Sequence, residues 1–493
     1  MESRPFKTRF APSPTGLLHL GNVRTALFNF LLAGRTHGVF LLRLEDTDAM
    51  RGHEKYAVAI EEDLRWLGLD WGEGPEVGGA HGPYAQSERG HIYKEYFDVL
   101  EEKGLAYPCF CSEHELAISR KTQIAAGHPP RYTGRCRSLS RADVEARFAQ
   151  GAPATLRFRV DDGATVAFED KVRGLQSFST TDIGDFVIRR SDGTPAFFFC
   201  NAIDDALMGT TLVVRGEDHL TNTPRQILLL QALGLPLPEY AHIALVVGAD
   251  GAPLSKRTGS KSVHELREGG FLPLAVNNYL ARLGHTYEAN TLMSMSELAE
   301  HFDLARLGRA PARYDESQLV YWQKEAIRYS SDEELWKWMN GKSILNSHVG
   351  DFVPKGKEFS FVNVIRGNIT TPEDAFIWAG NLFATSNRYE HEARSAIANA
   401  GAEFFRNALV CLDEDSAAFQ AYVKRLELSV NKKGKSLFMP LRAALTGEVN
   451  ELLSQSVHVY EWKHGPQLEA VWGLLGIDLI RRRLNEAMMS SKQ

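Results

Sequence analysis

The sequence predicts an α/β protein whose parallel sheet is interrupted by an inserted segment and followed by an all-helical region. Three observations carry this. Strand, helix and strand patterns succeed one another between Lys7 and Leu44, short alternating strands take over beyond about Gly104, and from about Ser330 the pattern is almost wholly helical.

Lys7 to Ala11 reads as a short strand, Pro12-Ser13-Pro14-Thr15-Gly16 as a loop, and His19 onward as a helix. Val23, Ala26, Leu27, Phe30 and Leu31 then fall on one helical face. Gly38 to Leu44 follows as a buried strand that runs into the acidic cluster Glu45-Asp46-Thr47-Asp48. This is one βαβ unit, which places chemistry at the carboxyl ends of its strands. A helix over Glu54 to Leu67 stops at Gly68, and Asp70 to Pro75 forms a loop. Beyond Gly104, Cys109, Cys111, Pro129, Pro130 and the alternating run Ala154 to Val160 mark a domain inserted into the parallel pattern. A buried strand returns at Thr210 to Val214 and ends on Arg215 beside Glu217 and Asp218. A helix over Pro224 to Leu233 and a strand over His242 to Val247 resume the pattern. The helical end carries tryptophans at 336, 338 and 378 in long Ala/Leu/Glu stretches, as one or two bundles would.

With 493 residues, 44% hydrophobic and 24% charged, the chain exceeds one ordinary core and can bury several. A net charge of −6 excludes a generally basic coat but leaves room for a local positive face. Lys424-Arg425, Lys432-Lys433-Gly434-Lys435 and Arg481-Arg482-Arg483 could supply one, or could be solvated helix ends. Five cysteines, an odd number in so long a chain, argue against a secreted disulfide scaffold. The charged start and the absence of an 18-residue apolar run predict a soluble, unexported protein in a reducing cytoplasm, with no membrane partner.

A helix that begins after a glycine-containing loop offers unpaired N–H groups to a phosphate or carboxylate, and His19 and Asn22 stand in its first turn. Taken alone, His19-Leu20-Gly21-Asn22 is equally served by capping or packing. A second segment, Gly251-Ala252-Pro253-Leu254-Ser255-Lys256-Arg257-Thr258-Gly259, sets two adjacent cations on a glycine-hinged loop just after a buried strand. Such cations can follow charge as it builds on a triphosphate, although Lys-Arg on a polar loop also serves mere solubility. The ordinary nucleotide loops are missing: Trp336 and Ser429 stand where a P-loop glycine would precede Gly341 and Gly434, and no Gly-x-Gly-x-x-Gly follows a strand.

The pair "HLGN" and "LSKRTG", in this order on a βαβ frame, resembles the two signature motifs of class I aminoacyl-tRNA synthetases. The flanks "RFAPSPTGLLHLGNVRTALFN", "LRLEDTD", "QSERGHIY", "RGEDHLTNTPRQ" and "LFMPLRAALTG" are similar to bacterial-type glutamyl-tRNA synthetases, from Arg9 to Gly447. The resemblance implies a Rossmann-like catalytic domain in two halves, 1–103 and 196–250, around an inserted α+β acceptor-end-binding domain at 104–195. A stem-contact domain at 251–330 carrying the LSKRTG loop, and a helical anticodon-binding region at 331–493 of two subdomains, complete it.

The same resemblance implies ATP-dependent ligation of L-glutamate to tRNA-Glu through glutamyl-adenylate, by a monomer, with Mg2+ travelling with ATP. Productive activation in that family generally requires bound tRNA, and some members also charge tRNA-Gln. It assigns catalytic positions to His19 and Lys256 and places ATP against Pro12, Ser13, Gly16, His19, Gly21, Asn22, Asp218, Ser255, Lys256 and Arg257. It places glutamate against Arg9, Ala11, Ser13, Glu45, Phe197, Asn201 and Arg215, with the arginines on carboxylate and Glu45 on the ammonium. One position departs from the family. Pro195-Ala196-Phe197 stands where the family usually has Pro-Thr-Tyr, so a phenolic hydroxyl is missing, a loss of about 1.5–3 kcal/mol if nothing replaces it.

Cys109, Cys111 and Cys136 in the inserted domain form either a structural zinc site or a set of free thiols. Ser138 stands where the family usually has a histidine ligand, and the resemblance implies Tyr132 as candidate fourth ligand, since a related enzyme type has tyrosine at that spacing. Cys200 and Cys411 read as core residues. Three rivals carry less of the sequence. A glutaminyl enzyme has a different first motif and a β-rich anticodon region, a glutamyl-queuosine enzyme lacks the helical end, and a catalytically impaired tRNA-binding paralogue has no need of intact His19, Lys256, Arg9 and Glu45.

Overall fold

The computed structural model describes residues 4–47, 53–128, 130–254, 261–384, 389–412, 418–449 and 465–492. Strand β1 (Lys7–Phe10) lies parallel to β2 (Val39–Leu42), in register from Lys7 opposite Val39 to Phe10 opposite Leu42, and helix α1 (Leu20–Arg35) connects them. α1 buries Leu20, Val23, Ala26, Leu27, Phe28, Leu31 and Leu32, the stripe that its 3.6-residue period dictates. The return from α1 to β2 needs Gly38, since a Cβ there would lie 1.9 Å from the Phe6 carbonyl oxygen.

Helices α2 (His53–Trp66) and α3 (Gly90–Glu102) precede the inserted segment. Strand β3 (Ala106–Cys109), helices α4 (Glu113–Ala125) and α5 (Arg141–Ala149) and strand β4 (Thr155–Phe158) open that segment. Strands β5 (Thr165–Asp170) and β6 (Gly174–Ser179), the short helix α6 (Thr180–Ile183) and strand β7 (Phe186–Arg189) close it. Both α4 and α5 bury nothing, so their starts are secured locally, by reciprocal caps between Ser112 and Glu115 and between Ser140 and Asp143. The antiparallel sheet β3-β4-β7 is the body of the insertion. Its other hairpin departs from it: β5 and β6 extend a sheet of order β6-β5-β9-β8 formed with β8 (Leu212–Gly216) and β9 (Glu239–Ile243). There β9 is parallel to both neighbours, and Asp170 of β5 sits opposite Tyr240. Helices α7 (Phe197–Leu207) and α8 (Thr223–Leu233) flank β8 in the chain. The Thr211 N–H donates to the Lys7 carbonyl at 2.9 Å and ties the start of β8 to β1, so the two sheets continue one another.

The strand expected over His242 to Val247 is broken. β9 ends at Ile243, and Val246–Val247 pairs in parallel with Ala312–Arg313. The gap arises because side chains take the backbone groups: the Ala244 carbonyl accepts from Arg24 Nη2, and the Leu245 N–H donates to Glu217 Oε1 at 3.0 Å.

The chain forms two compact units, residues 1–266 with 276–315, and residues 267–275 with 316–493, so the 251–330 segment is shared between them. The second unit is helical among its described residues, around a core that includes Phe361, Trp378, Phe405, Tyr422 and Leu441. Gly401, at φ +77°, breaks the run His391–Val410 into two helical stretches, and Gly447 ends Lys435–Thr446 in the left-handed conformation. The cluster Arg481-Arg482-Arg483 does not form a free basic face. Arg483 is buried and donates to the Leu445 carbonyl, while Arg481 and Arg482 pair with Asp478 and Glu486. Among the described residues no helix is long and apolar enough to cross a membrane.

Candidate active site

A cavity of about 610 Å³ opens at the carboxyl ends of β1, β2 and β8. Arg9, Ala11, Pro12, Ser13, His19, Gly21, Asn22, Glu45, Phe197, Asn201, Arg215 and Asp218 all line it, drawn from segments far apart in the chain. Gly16 is half-buried and does not line it. Pro253 and Leu254 contribute from the other side, and the Val263 N–H donates to the Leu18 carbonyl at 3.0 Å. Ser255, Lys256 and Arg257 lie outside the described residues; their flanks are tied to the cavity at Leu254 and to the start of α1 at Val263.

His19 is the residue before α1; its carbonyl accepts the Asn22 and Val23 N–H groups, and its side chain makes no capping bond. A Cβ on Gly21 would meet only His19 Nδ1, at 3.9 Å, so the protein leaves room above the first turn of α1. Gly216 serves a different approach, for a Cβ there would lie 2.4 Å from Asp218 Oδ1.

A buried charge network runs from the cavity lining into the core. Arg43 is fully buried and donates from Nη1 to Asp205 Oδ1 at 2.8 Å and from Nη2 to Glu45 Oε1 at 3.3 Å. Arg9 forks onto the same Asp205, at 3.0 Å from Nε and 3.3 Å from Nη2, and reaches Asn201 Oδ1 at 3.4 Å. Asn201 in turn donates from its amide to Glu45. Asp204 accepts from Arg89, Tyr93 and Gln86 at 2.7–2.8 Å. Burial works against the charge of Asp205, yet Arg9 and Arg43 hold its carboxyl below the usual range. Burial wins at Glu45, which is pushed up to about 7 despite Arg43 and Arg9. A cation delivered to this point would bring it back into the carboxylate form.

Arg215 is set up differently. It is 6% exposed, and its partners are neutral: His242 Nε2 at 3.2 Å, Thr223 Oγ1 at 2.9 Å and Gln226 Oε1 at 2.6 Å. Among the described residues it forms no ion pair. Burial, followed by the nearby Arg9, pulls its guanidinium down to about 10. A buried cation without a carboxylate is costly to the fold and is therefore suited to a ligand that brings one. Phe197 stacks on His219, ring centroids 5.4 Å apart at 29°, and both line the cavity, so that wall offers a ring face and no phenolic hydroxyl.

In the insertion, the sulfurs of Cys109, Cys111 and Cys136 lie within 4.8 Å of one another. The Tyr132 hydroxyl stands 3.4 Å from Cys109 Sγ and 3.6 Å from Cys111 Sγ. Burial raises the Cys109 thiol, but hydrogen bonds from Tyr132 and Arg157 outweigh it and bring it down to about 7. Burial and the three sulfurs keep the Tyr132 phenol protonated. Three sulfurs and one hydroxyl oxygen thus lie close together, with the Tyr132 oxygen also accepting the Cys136 N–H at 2.8 Å.

The family model described as tRNA synthetases class I (E and Q), catalytic domain, matches residues 5–321. The chain belongs to that family. The match covers nearly all of the first unit, and the helical residues beyond 321 lie outside the matched catalytic domain. It is 53% identical over 491 residues to glutamate–tRNA ligase 2 of Nitrosococcus oceani, covering all of both chains. It is 50% identical over 487 residues to glutamate–tRNA ligase 1 of Halorhodospira halophila, covering 99% of this chain and 98% of that one. Among solved structures, a glutamate tRNA ligase of Elizabethkingia meningosepticum in complex with its amino acid matches with TM-score 0.84 at 28% identity, covering 99% of each chain.

Around the cavity stand residues that the sequence did not single out: Arg43, Asp204 and Asp205 bonded to its lining, and Asp170, His242, Thr223 and Gln226 behind Arg215. Arg24 is another. It is buried, lines the cavity, donates to the carbonyls of Leu283 and Ala244, and is pulled down to about 10 by burial. One signal for this group was available, namely charged residues inside apolar runs, as in Leu41-Leu42-Arg43-Leu44 and Ala202-Ile203-Asp204-Asp205-Ala206.

Proposed function

We propose that the chain is a glutamate–tRNA ligase, which joins L-glutamate to ATP as glutamyl-adenylate and transfers it to the 3′ end of tRNA-Glu. The observation that carries this is Arg215, a buried cation with only neutral partners in the same cavity as Glu45, a carboxyl that burial pushes up to about 7. Glutamate supplies what both lack. Its side-chain carboxylate meets Arg215, where glutamine would offer no charge, and its ammonium meets Glu45.

With both ends held, the α-carboxylate is left to face ATP along the start of α1, against Pro12, Ser13, His19, Gly21 and Asn22, with Asp218 at the rim. An α-carboxylate oxygen attacks the α-phosphorus, the bond to the bridging oxygen of the β-phosphate breaks, and pyrophosphate leaves. A ribose hydroxyl of the terminal adenosine then attacks the acyl carbon and AMP leaves. The protein's part is position and charge, with His19 and Lys256 on the phosphates and no covalent enzyme intermediate. Mg2+ enters with ATP as its counter-ion.

For the tRNA, exposed Lys424, Lys433 and Lys435 of the helical unit support anticodon reading there, and the insertion is assigned the acceptor end. Aminoacylation with radiolabelled glutamate, ATP and purified tRNA-Glu or tRNA-Gln tests the reading. Charging of tRNA-Glu is expected; charging of neither RNA overturns it, and charging of both marks an enzyme that does not discriminate.

The pH dependence of glutamate binding follows from Glu45. Its carboxyl titrates at about 7 in the free protein, so the partner of the ammonium is lost as pH falls through that value. The KM for glutamate is expected to rise between pH 8 and pH 6 while the KM for ATP stays level. In the free protein the raised value means that Glu45 costs the fold stability as pH rises from about 4.5 to about 7, and because glutamate binds the ionised form, it should raise the thermal midpoint more at pH 8 than at pH 6.

The three sulfurs and the Tyr132 hydroxyl fit a structural zinc ion, which would cross-link the start of the insertion. About one zinc per chain is expected by elemental analysis of purified protein, falling well below one in Cys136→Ser. A metal-free protein with unchanged unfolding behaviour in that variant would return the cluster to plain thiols.

A further inference from the structure

Behind Arg215 the structure carries a chain of groups that reaches from the catalytic sheet into the insertion. Asp170, the last residue of β5, is 1% exposed and accepts the N–H groups of Val172, Arg173 and His242. Its Oδ2 also lies 2.6 Å from Nδ1 of the fully buried His242. A carboxylate at that distance requires a hydrogen on Nδ1, and burial favours the neutral ring. The lone pair on Nε2 is thereby presented to Arg215 Nε–H at 3.2 Å and to the Thr223 hydroxyl at 3.0 Å. Thr223 uses its hydrogen toward His242 and accepts from Arg215 Nη2, which also donates to Gln226. One orientation of each group makes all of these bonds at once. Arg215 Nη1 makes no hydrogen bond among the described residues, and Arg215 lines the cavity.

This arrangement solves a specific problem. An arginine that must bind a carboxylate has to be held still, because its side chain otherwise loses rotamer freedom on binding. A carboxylate placed directly on it would hold it still but cancel the charge that the ligand needs, as Asp205 does for Arg9. One imidazole set between Asp170 and Arg215 passes on the orientation and leaves the charge available. We propose that Asp170 and His242 are positioning residues that fix Arg215 for the carboxylate of glutamate and so set the affinity for the amino acid. Asp170 comes from the β5–β6 hairpin of the inserted segment, so that hairpin has a direct hold on the amino-acid site.

The inference rests on the reading of Arg215 as the carboxylate-binding cation, and the test separates the two. Steady-state aminoacylation by the full-length protein is compared in His242→Asn, His242→Gln, Asp170→Asn, Thr223→Val and Arg215→Gln. In His242→Asn the new side chain can keep the contact to Asp170 but loses the acceptor for Arg215, whereas in His242→Gln it can place an oxygen where Nε2 stood. In Asp170→Asn the new amide can turn toward Nδ1, which moves the ring hydrogen to Nε2 against the Arg215 N–H. The KM for glutamate is expected to rise about tenfold or more in His242→Asn and Asp170→Asn, with kcat and the KM for ATP nearly unchanged, and to recover in His242→Gln. If the two histidine variants lose activity alike and in step with unfolding, the residues are structural and the proposal is overturned. Thr223→Val, a change of one hydroxyl, keeps the question open to measurement if the others fail to fold, and an unchanged glutamate KM there also overturns it. An unchanged glutamate KM in Arg215→Gln would instead remove the underlying reading.

Discussion

Replacing Arg43 by methionine is expected to destabilise the first unit by about 3–5 kcal/mol, the range for removing one member of a buried ionic cluster. Arg43 is inaccessible to solvent, and Asp205, Asp204 and Glu45 surround its guanidinium at 2.8–3.9 Å. Burial alone would weaken its charge, but those three carboxylates more than reverse that. Methionine fills much of the space and leaves Glu45 without its strongest partner, while Asp205 keeps Arg9 and Asp204 keeps Arg89. The sign of the pH dependence distinguishes this cause from simple cavity formation. Uncompensated carboxyls titrate above their unfolded values, so the stability they cost is incurred as pH rises and recovered as it falls. The deficit of Arg43→Met, read from the urea transition of the unit carrying Trp66 and Trp71, should therefore be smaller at pH 5.5 than at pH 8. An equal deficit at both would mean that lost packing, rather than stranded charge, explains the effect.

What the sequence revealed of this site, and what it hid, follows from the range of each interaction. The βαβ start was legible because periodicity is local: the stripe Val23, Ala26, Leu27 and Leu31 is buried in α1 as its spacing requires. The positions of His19, Gly21, Asn22, Arg9, Glu45 and Arg215 came from matching whole motifs, and the cavity gathers them. The buried charge network was not legible. Arg43 stood out as a charge in an apolar strand, but its partner Asp205 lies 162 residues away on α7, and no single sequence pairs them. Asp170 was hidden more completely, since it sits in a segment read as a separate inserted domain while its strand pairs with β9 of the catalytic sheet. The broken strand at Ala244 shows the same limit, because long-range bonds from Arg24 and Glu217 occupy the backbone groups that a continuous ladder would use. Arg481-Arg482-Arg483 counted as positive charge in the sequence, yet helical phase turns Arg483 into the core.

Arg215→Gln is expected to lower kcat/KM for glutamate about a thousandfold and at the same time to leave the fold as stable as before, or more so. The two halves have one cause. As it stands, Arg215 is a buried cation whose neighbours His242, Thr223 and Gln226 satisfy its hydrogen-bonding geometry without supplying negative charge. Its depressed value of about 10 expresses the cost that burial and Arg9 place on that charge. Glutamine removes the charge and can still donate to Thr223 or Gln226, so the folded protein loses little and is relieved of an uncompensated ion. The substrate carboxylate, by contrast, loses a charge-assisted pair in a site shielded from water, a loss of roughly 2–5 kcal/mol. Most structural residues behave the opposite way, with activity falling because stability falls. Thermal or urea unfolding alongside aminoacylation kinetics reads both halves at once: a large drop in kcat/KM with an unchanged or raised unfolding midpoint is the expected result. A parallel loss of both would place Arg215 among the structural residues. A glutamate affinity that survived the substitution would require another cation to receive the carboxylate, and Arg24, the other buried cavity arginine that burial pulls down to about 10, would be the next to replace.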